Sequence, residues 1–231
     1  MTVHRRAESI LRTNLVLVLL ASLTACTLLS GSRPPAADSY FESAAQKELV
    51  RAALRGNAKR VEAALADGAD INKIGLGGAT PLLLTIWRDR LSGMRLLLER
   101  GADPNLVSPR PESSQHDIHT PVQAAVNRRS TEYLRVLLDH GADPDSPVAI
   151  KATRITAIFF TIRNRDNLDF TRLLIGYGAN VNHQSRYGNT PILAAVTNSN
   201  YPQALLLLEA GADPELGGDL SSLPRLESWP E

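Results

Sequence analysis

Apolar residues recur along this chain at intervals of three and four, in short runs that each end at a glycine. Such spacing places the apolar side chains on one face of a helix. Glycine after the run suits the left-handed backbone at which many helices end. The pattern therefore predicts a helix before each glycine, and the runs contain Met94, Leu97 and Leu98; Leu134, Leu137 and Leu138; Phe170, Leu173 and Leu174; and Leu205 and Leu208.

A threonine precedes four of these glycines by 21 or 22 residues, and in three cases a proline follows the threonine. A threonine hydroxyl can accept a hydrogen bond from a free N–H at the start of a helix, and proline fits the first helical position. Each unit is therefore predicted to be a helix, a turn, a second helix and a hairpin. The threonines are Thr80, Thr120, Thr156 and Thr190, and the glycines are Gly68, Gly101, Gly141, Gly178 and Gly211, spaced by 33, 40, 37 and 33 residues.

This unit resembles the ankyrin repeat, whose period is 33 residues. The resemblance implies an all-α ankyrin repeat solenoid, in which repeats stack because one unit cannot bury its own apolar face. The histidine that usually follows the Thr-Pro motif is replaced by Leu83, Gln123, Phe159 and Leu193. About five repeats are expected within residues 42–217, at approximately 42–75, 76–108, 115–148, 151–184 and 185–217.

The N-terminus has the features of an export signal. Basic residues at positions 4, 5, 6 and 12 precede an apolar run, Leu15 to Leu23, that is too short to span a bilayer, which needs about 20 residues. The string Leu23–Cys26 resembles the lipobox of bacterial lipoproteins, and this resemblance implies that residues 1–25 are removed and that Cys26 carries the lipid, including palmitate. A buried free cysteine is the alternative. Arg5-Arg6 would fit twin-arginine export, but the apolar residues expected just after the pair are missing.

The residues after Cys26 predict where the mature protein resides. Small, polar and proline residues predict a flexible tether over 26–41. Thr27 stands where an aspartate would retain a lipoprotein in the inner membrane, so we expect an outer-membrane anchor facing the periplasm. Removal of residues 1–25 takes away three arginines and one glutamate and leaves 22 basic and 23 acidic residues. This balance shows no footprint for nucleic acid.

The ankyrin resemblance implies a non-catalytic monomer that binds a periplasmic or envelope protein and needs no cofactor. Insertions in repeat arrays often lie on the binding face, and here they are Pro104–His119 and Pro144–Arg154, both predicted at hairpin tips. Tryptophan, tyrosine and arginine are frequent at binding hot spots, although Trp87 could simply pack on its neighbour and the arginines form a solvated rim. The partner-binding candidates are Trp87, Arg88, Arg110, His116, His119, Asn127, Arg128, Arg163, Asn164, Tyr187 and Asn198.

Three functions remain open at this point. The protein is an adaptor, or it is an immunity protein that neutralises a secreted antibacterial effector such as a phospholipase. A metal-dependent enzyme is the third, since His116, Asp117 and His119 could hold zinc, but a proline-rich loop supplies no second shell to orient ligands. The C-terminal residues 218–231 either cap the last repeat through Leu220, Leu223 and Trp229 or fray.

Overall fold

The computed structural model describes residues 36–109, 118–149, 155–162 and 168–217. Over these ranges the chain forms successive pairs of helices. The first helices of the pairs stack on one another in what we call the first-helix row. The second helices of the pairs form the second-helix row. The predicted all-α repeat fold is confirmed, and its helices are α1 (Ala44–Leu54), α2 (Ala58–Ala66), α3 (Pro81–Trp87), α4 (Leu91–Glu99), α5 (Pro121–Asn127), α6 (Thr131–Asp139), α7 (Ala157–Ile162), α8 (Leu168–Gly176), α9 (Pro191–Thr197) and α10 (Tyr201–Glu209).

Three of the four threonines cap their helices as predicted. The hydroxyls of Thr80, Thr120 and Thr190 accept a hydrogen bond from the backbone N–H three residues later, at 3.1, 3.2 and 3.4 Å. Thr156 differs, because it lies at the end of a strand and its buried hydroxyl has no hydrogen-bond partner among the residues that the structure describes. The proline that follows the other three threonines is replaced here by Ala157.

The repeated glycines end the second helix of each repeat in the predicted backbone conformation. Their φ angles lie between 84° and 89°. A Cβ atom at these positions would meet nothing within 4 Å, so the backbone angle and not the available space selects glycine. The five residues are Gly68, Gly101, Gly141, Gly178 and Gly211.

One continuous apolar core lies between the two helix rows, from Leu49 to Ala212. The residue four positions before the terminal glycine is fully buried in four consecutive repeats, as Leu97, Leu137, Leu174 and Leu207. The predicted stripe of the last helix was wrong at Leu205, which is 52% exposed, whereas Leu207 is fully buried and Leu208 packs partly buried against the core. No helix in the described ranges is long and apolar enough to cross a bilayer.

Short antiparallel strands are described within both insertions. Strand β1 (Ser108–Pro109) pairs with β2 (Ile118–His119), and β3 (Pro147–Ala149) pairs with β4 (Ile155–Thr156), each antiparallel. The second pair contains an irregularity between Pro147 and Ala149. Residues 110–117 and 150–154, which these strands enclose, lie outside the described residues.

Side chains on the hairpins link each repeat to the next. Asn72, Asn105 and Asn182 each accept a hydrogen bond from a backbone N–H of the following hairpin, at 2.8, 2.7 and 2.8 Å. Asp145 occupies the same position between the third and fourth repeats, and its carboxylate accepts from the N–H of Asn180 at 3.0 Å. We call this series the asparagine ladder, and it fixes the spacing between successive hairpins.

The tether predicted for residues 26–41 does not extend through its last five residues. Ala37–Tyr40 form a short 3-10 helix, and Phe41 is 5% exposed. Phe41 packs with Val50, Ala79 and Leu84 in a small second core. The burial of this one aromatic ring orders the segment, because removing its apolar surface from water stabilises the packed arrangement. Residues 1–35, with the predicted signal peptide and Cys26, lie outside the described residues.

Candidate protein-binding groove

A groove of about 360 Å³ opens between the first helices of the fourth and fifth repeats and the turn at residues 185–189. This volume lies near the lower end of the range for binding pockets, about 300–1,000 Å³. Among the residues that the structure describes, none that lines the groove is charged. The lining residues are Ile155, Phe159, Phe160, Ser185, Tyr187, Asn189, Leu193, Ala194, Thr197 and Asn198.

Phe160 makes this groove apolar at a position where the array elsewhere has smaller residues. The corresponding positions, four residues after the capping threonine, hold Leu84, Ala124 and Ala194. Phe160 is only partly buried, and Ala194 in the next repeat lines the same groove. A large side chain beside a small one leaves an open space with an aromatic wall. Comparison of the repeats position by position would have revealed Phe160, which our sequence analysis missed.

Tyr187 also lines the groove and is 71% exposed. It lies on a tight turn, in which the N–H of Ser185 donates to the carbonyl of Asn189 at 2.9 Å and the N–H of Gly188 donates to the carbonyl of Ser185 at 3.0 Å. Gly188 has a φ of 77°, which favours glycine. The turn therefore holds the tyrosine ring in solvent on a constrained backbone.

The polar groups at the rim are partly satisfied by their own helix. The hydroxyl of Thr197 donates to the carbonyl of Leu193 at 2.9 Å, and the amide nitrogen of Asn198 donates to the carbonyl of Ala194 at 2.7 Å. The rim is therefore neutral and hydrogen-bonded, whereas the walls are apolar. This distribution matches the apolar centre and polar edge of protein interfaces.

Models of the ankyrin repeat match two parts of the chain. A model of three ankyrin repeats matches residues 122–217, and a single-repeat model matches residues 77–109. Together they cover more than half of the sequence and include the groove. The chain is an ankyrin repeat protein.

Curated relatives of this ankyrin repeat protein come from distant organisms. It is 30% identical to the ankyrin repeat protein nuc-2 of Neurospora crassa over 71% of its own length and 15% of the relative. It is 27% identical to the putative ankyrin repeat protein FPV014 of Fowlpox virus, over 74% of its length and 34% of the relative. The putative ankyrin repeat protein YahD of Escherichia coli is 27% identical, over 77% of this chain and 86% of that protein. The chain thus spans about a third or less of the first two relatives.

The structure places two of the predicted binding residues, Tyr187 and Asn198, together in the groove. Trp87, Arg88 and Asn127 lie in the second and third repeats instead. Trp87 is half-buried and packs against both apolar cores, which agrees with the simpler interpretation of this residue. Arg88 is also half-buried, whereas Asn127 is exposed.

Arg128 joins two repeats of this ankyrin repeat protein. Its guanidinium donates to the carbonyls of Ile86 and Trp87, at 3.1 and 3.4 Å, and forms an ion pair with Asp89 at 2.8 Å. It also lies 5.4 Å from the ring centroid of Tyr133, whose hydroxyl donates to Asp89 at 2.9 Å. Burial, followed by this hydrogen bond, raises the pKa of Tyr133 to about 12. Arg128 was predicted to lie exposed for a partner, but its interactions are made within the stack.

For the remaining partner-binding candidates and for Cys26, the structure describes no side chain. Cys26, Arg110, His116, Arg163 and Asn164 lie outside the described residues, and these assignments stay predictions. The backbone of His119 pairs with Ser108 in the first inserted hairpin. Among the described residues, no group of three or more His, Cys, Asp or Glu side chains could hold a metal ion.

Proposed function

We propose that this ankyrin repeat protein is an envelope lipoprotein that binds a partner protein in the groove and carries out no chemistry of its own. The family membership supports a protein partner. The observation that carries the proposal is a groove whose described lining is uncharged and includes Phe160 and the 71% exposed Tyr187. Aromatic residues with a polar rim are the usual composition of binding hot spots.

The groove offers enough apolar surface to support specific binding. An aromatic side chain buries about 150–250 Å², at roughly 25 cal/mol per Å². Covering Tyr187 and the exposed part of Phe160 would thus contribute a few kcal/mol. The neutral rim of Asn189 and Asn198 adds hydrogen-bonding groups without the cost of desolvating a charge. A partner that inserts an apolar side chain between the two rings fits these features.

The irregular fourth repeat also supports this location. The hydroxyl of Thr156 has no hydrogen-bond partner among the described residues, and the proline that follows the other capping threonines is replaced by Ala157. Departures from local rules are expected at functional sites. The same repeat supplies Phe159 and Phe160 to the groove.

The lipid anchor is a separate part of the proposal and is supported by the sequence around Cys26. We propose that acyl chains on Cys26 hold the protein in the outer membrane, with the repeats in the periplasm. Metabolic labelling with palmitate, followed by membrane fractionation, tests this. The wild-type protein is expected to be labelled and membrane-bound, and Cys26→Ser unlabelled. An unlabelled wild-type protein would contradict the anchor but leave the groove proposal intact.

A photo-crosslinking residue at position 187 tests the groove in intact cells. It is expected to give a discrete adduct with one partner. Position 177 is the matched control, since Tyr177 lies among residues of the second-helix row and is 36% exposed. Adducts of the same mass from both positions, or from neither, would contradict the proposal.

The identity of the adduct separates the adaptor from the immunity protein. A resident envelope protein supports the adaptor. A secreted toxin supports the immunity role, and a deletion strain should then lose resistance to its siblings in competition. With the purified partner, Tyr187→Ala is expected to weaken binding at least tenfold by calorimetry, and Tyr177→Ala to leave it within twofold, because hot-spot truncation costs about 2 kcal/mol or more.

A further inference from the structure

The first hairpin turn exposes two large aliphatic side chains. Ile74 is 40% exposed and Leu76 is 64% exposed, and Lys73 beside them is also exposed. We call residues 73–76 the first tip. Exposed neighbouring aliphatic residues of this size are costly in water and often mark an interaction surface.

The backbone of this turn does not require apolar side chains. In the first hairpin the N–H of Gly75 donates to the carbonyl of Ala79 at 2.7 Å. In the last complete hairpin the N–H of Ser185 donates to the carbonyl of Asn189 at 2.9 Å, which closes the same turn. The two turns therefore share one geometry at opposite ends of the stack.

The side chains at corresponding positions differ in character. The last hairpin has Gln184 where the first has Ile74, and Arg186 where the first has Leu76. Gln184 and Arg186 are exposed, as expected for a hairpin in water. The last hairpin thus exposes the aromatic ring of Tyr187 but lacks the exposed aliphatic pair of the first.

The chain enters the repeat domain directly against the first tip. A Cβ atom on Gly75 would collide with the carbonyl oxygen of Tyr40 and the ring of Phe41, so residues 40 and 41 lie on the turn itself. Cys26 precedes Ala37 by eleven residues, and such a length spans at most about 40 Å even when fully extended. A lipid on Cys26 would keep the first tip within that distance of the bilayer.

We propose that the first tip contacts the membrane surface, with Ile74 and Leu76 entering the lipid interface. This inference rests on the proposed lipidation of Cys26. The contact is apolar in origin, because Lys73 shares its surface groove with two acidic residues, Asp70 and Glu42. Binding should therefore depend little on anionic lipid, unlike that of a polybasic segment.

Fluorescence of the full-length lipoprotein in vesicles tests the contact. Leu76→Cys would carry an environment-sensitive dye, and acylated Cys26 leaves no other thiol to react. The vesicles contain phosphatidylethanolamine with or without phosphatidylglycerol, and brominated lipids act as quenchers. Leu205→Cys is the control, since Leu205 is exposed on the last helix. The dye at 76 is expected to be quenched severalfold more than that at 205, equally in both lipid mixtures.

A second variant distinguishes the aliphatic side chains from mere proximity. Ile74→Gln with Leu76→Arg copies the last hairpin and should leave thermal unfolding unchanged. With the dye on Lys73→Cys, this pair is expected to abolish most of the quenching seen in the parent sequence. Persistent quenching in the pair, or equally weak quenching at 76 and 205, would overturn the inference and leave the anchor standing. Unmodified Cys26 by mass spectrometry would overturn both.

Discussion

The second and fourth repeats follow one plan, but only the second follows it throughout. In the second repeat Thr80 caps α3 and Pro81 begins it. In the fourth, Thr156 makes no cap among the described residues and α7 begins with alanine. Stacking, and not a local start signal, therefore stabilises α7, because Ile158 and Ile162 are as buried as Leu83 and Ile86 in α3.

Replacing the buried core leucines is expected to give the largest difference in unfolding between the second and fourth repeats. Leu97→Ala in the second repeat and Leu174→Ala in the fourth remove equivalent fully buried side chains, and each should cost about 2–5 kcal/mol of unfolding free energy. Repeat arrays are stabilised mainly by contacts between neighbours. We expect Leu174→Ala to split the urea transition into two and Leu97→Ala to retain one, as followed by circular dichroism. Identical single transitions in the two variants would contradict the expected difference between the two repeats.

Replacing Thr80 and Thr156 with valine is expected to change the unfolding free energy in different directions. Thr80→Val removes a helix cap and should lower the unfolding free energy by about 0.5–2 kcal/mol. Thr156→Val replaces a buried hydroxyl without a partner in the described structure by a methyl group of similar size, so it should be neutral or stabilising. Thermal melts of the two variants measure this. A comparable loss from Thr156→Val would mean that its hydroxyl is bonded in solution.

The junction between the third and fourth repeats is the next test. Asn105 accepts from the next hairpin and also donates to the carbonyl of Gly141 at 2.9 Å. Ionised Asp145 can accept but has no N–H to donate. Asp145→Asn is therefore expected to add a bond to the carbonyl of Gly178 and to stabilise the protein by about 0.5–1.5 kcal/mol at pH 7. Asn105→Asp is the matched variant and should destabilise.

The pH dependence of that gain has a defined sign. Burial raises the pKa of Asp145 above its ordinary value of 3.8, while the hydrogen bond from Asn180 opposes the rise. Because the folded-state pKa lies above the unfolded one, the contribution of Asp145 to stability is most favourable below pH 3.8 and is lost as the pH rises through the raised pKa. The advantage of Asp145→Asn should thus shrink between pH 7 and pH 3 in thermal melts. A constant advantage would exclude titration of Asp145 as its cause.

The smallest effect is expected from restoring the helix start. Ala157→Pro recreates the Thr-Pro pair, and Thr156 already has the extended backbone that precedes proline. The gain should be about 0.4–1 kcal/mol, mainly by restricting the unfolded chain. Chemical denaturation measures it, with Pro81→Ala in the second repeat as the reverse control. Destabilisation by Ala157→Pro would show that the N–H of residue 157 is needed.

The sequence predicted those features that one residue determines through its own backbone. The φ angles of the terminal glycines and the caps at Thr80, Thr120 and Thr190 follow from such local rules. The choice of Leu205 over Leu207 failed because both fit an apolar stripe, and only the distance to Gly211 separates them.

Features that depend on neighbouring repeats could not be obtained in this way. Arg128 fits an exposed hot spot by type, but the carbonyls of Ile86 and Trp87 lie 42 and 41 positions earlier in the chain and become its partners only on stacking. Phe41 is likewise buried by residues from the second repeat. Of the groove residues, Tyr187 and Asn198 were predicted from the sequence. Phe160 was not, because it forms a groove only where it lies beside the small Ala194 of the next repeat.

The asparagine ladder bonds to main-chain N–H and carbonyl groups of the following repeat. Mutations in the other hairpin side chains therefore leave these bonds in place, and the spacing of the array persists while the tips diversify. In such a scaffold, selection can change which partner the protein recognises without disrupting the bonds that hold the repeats together. A repeat duplicated within the gene would join the array with its linkage already in place.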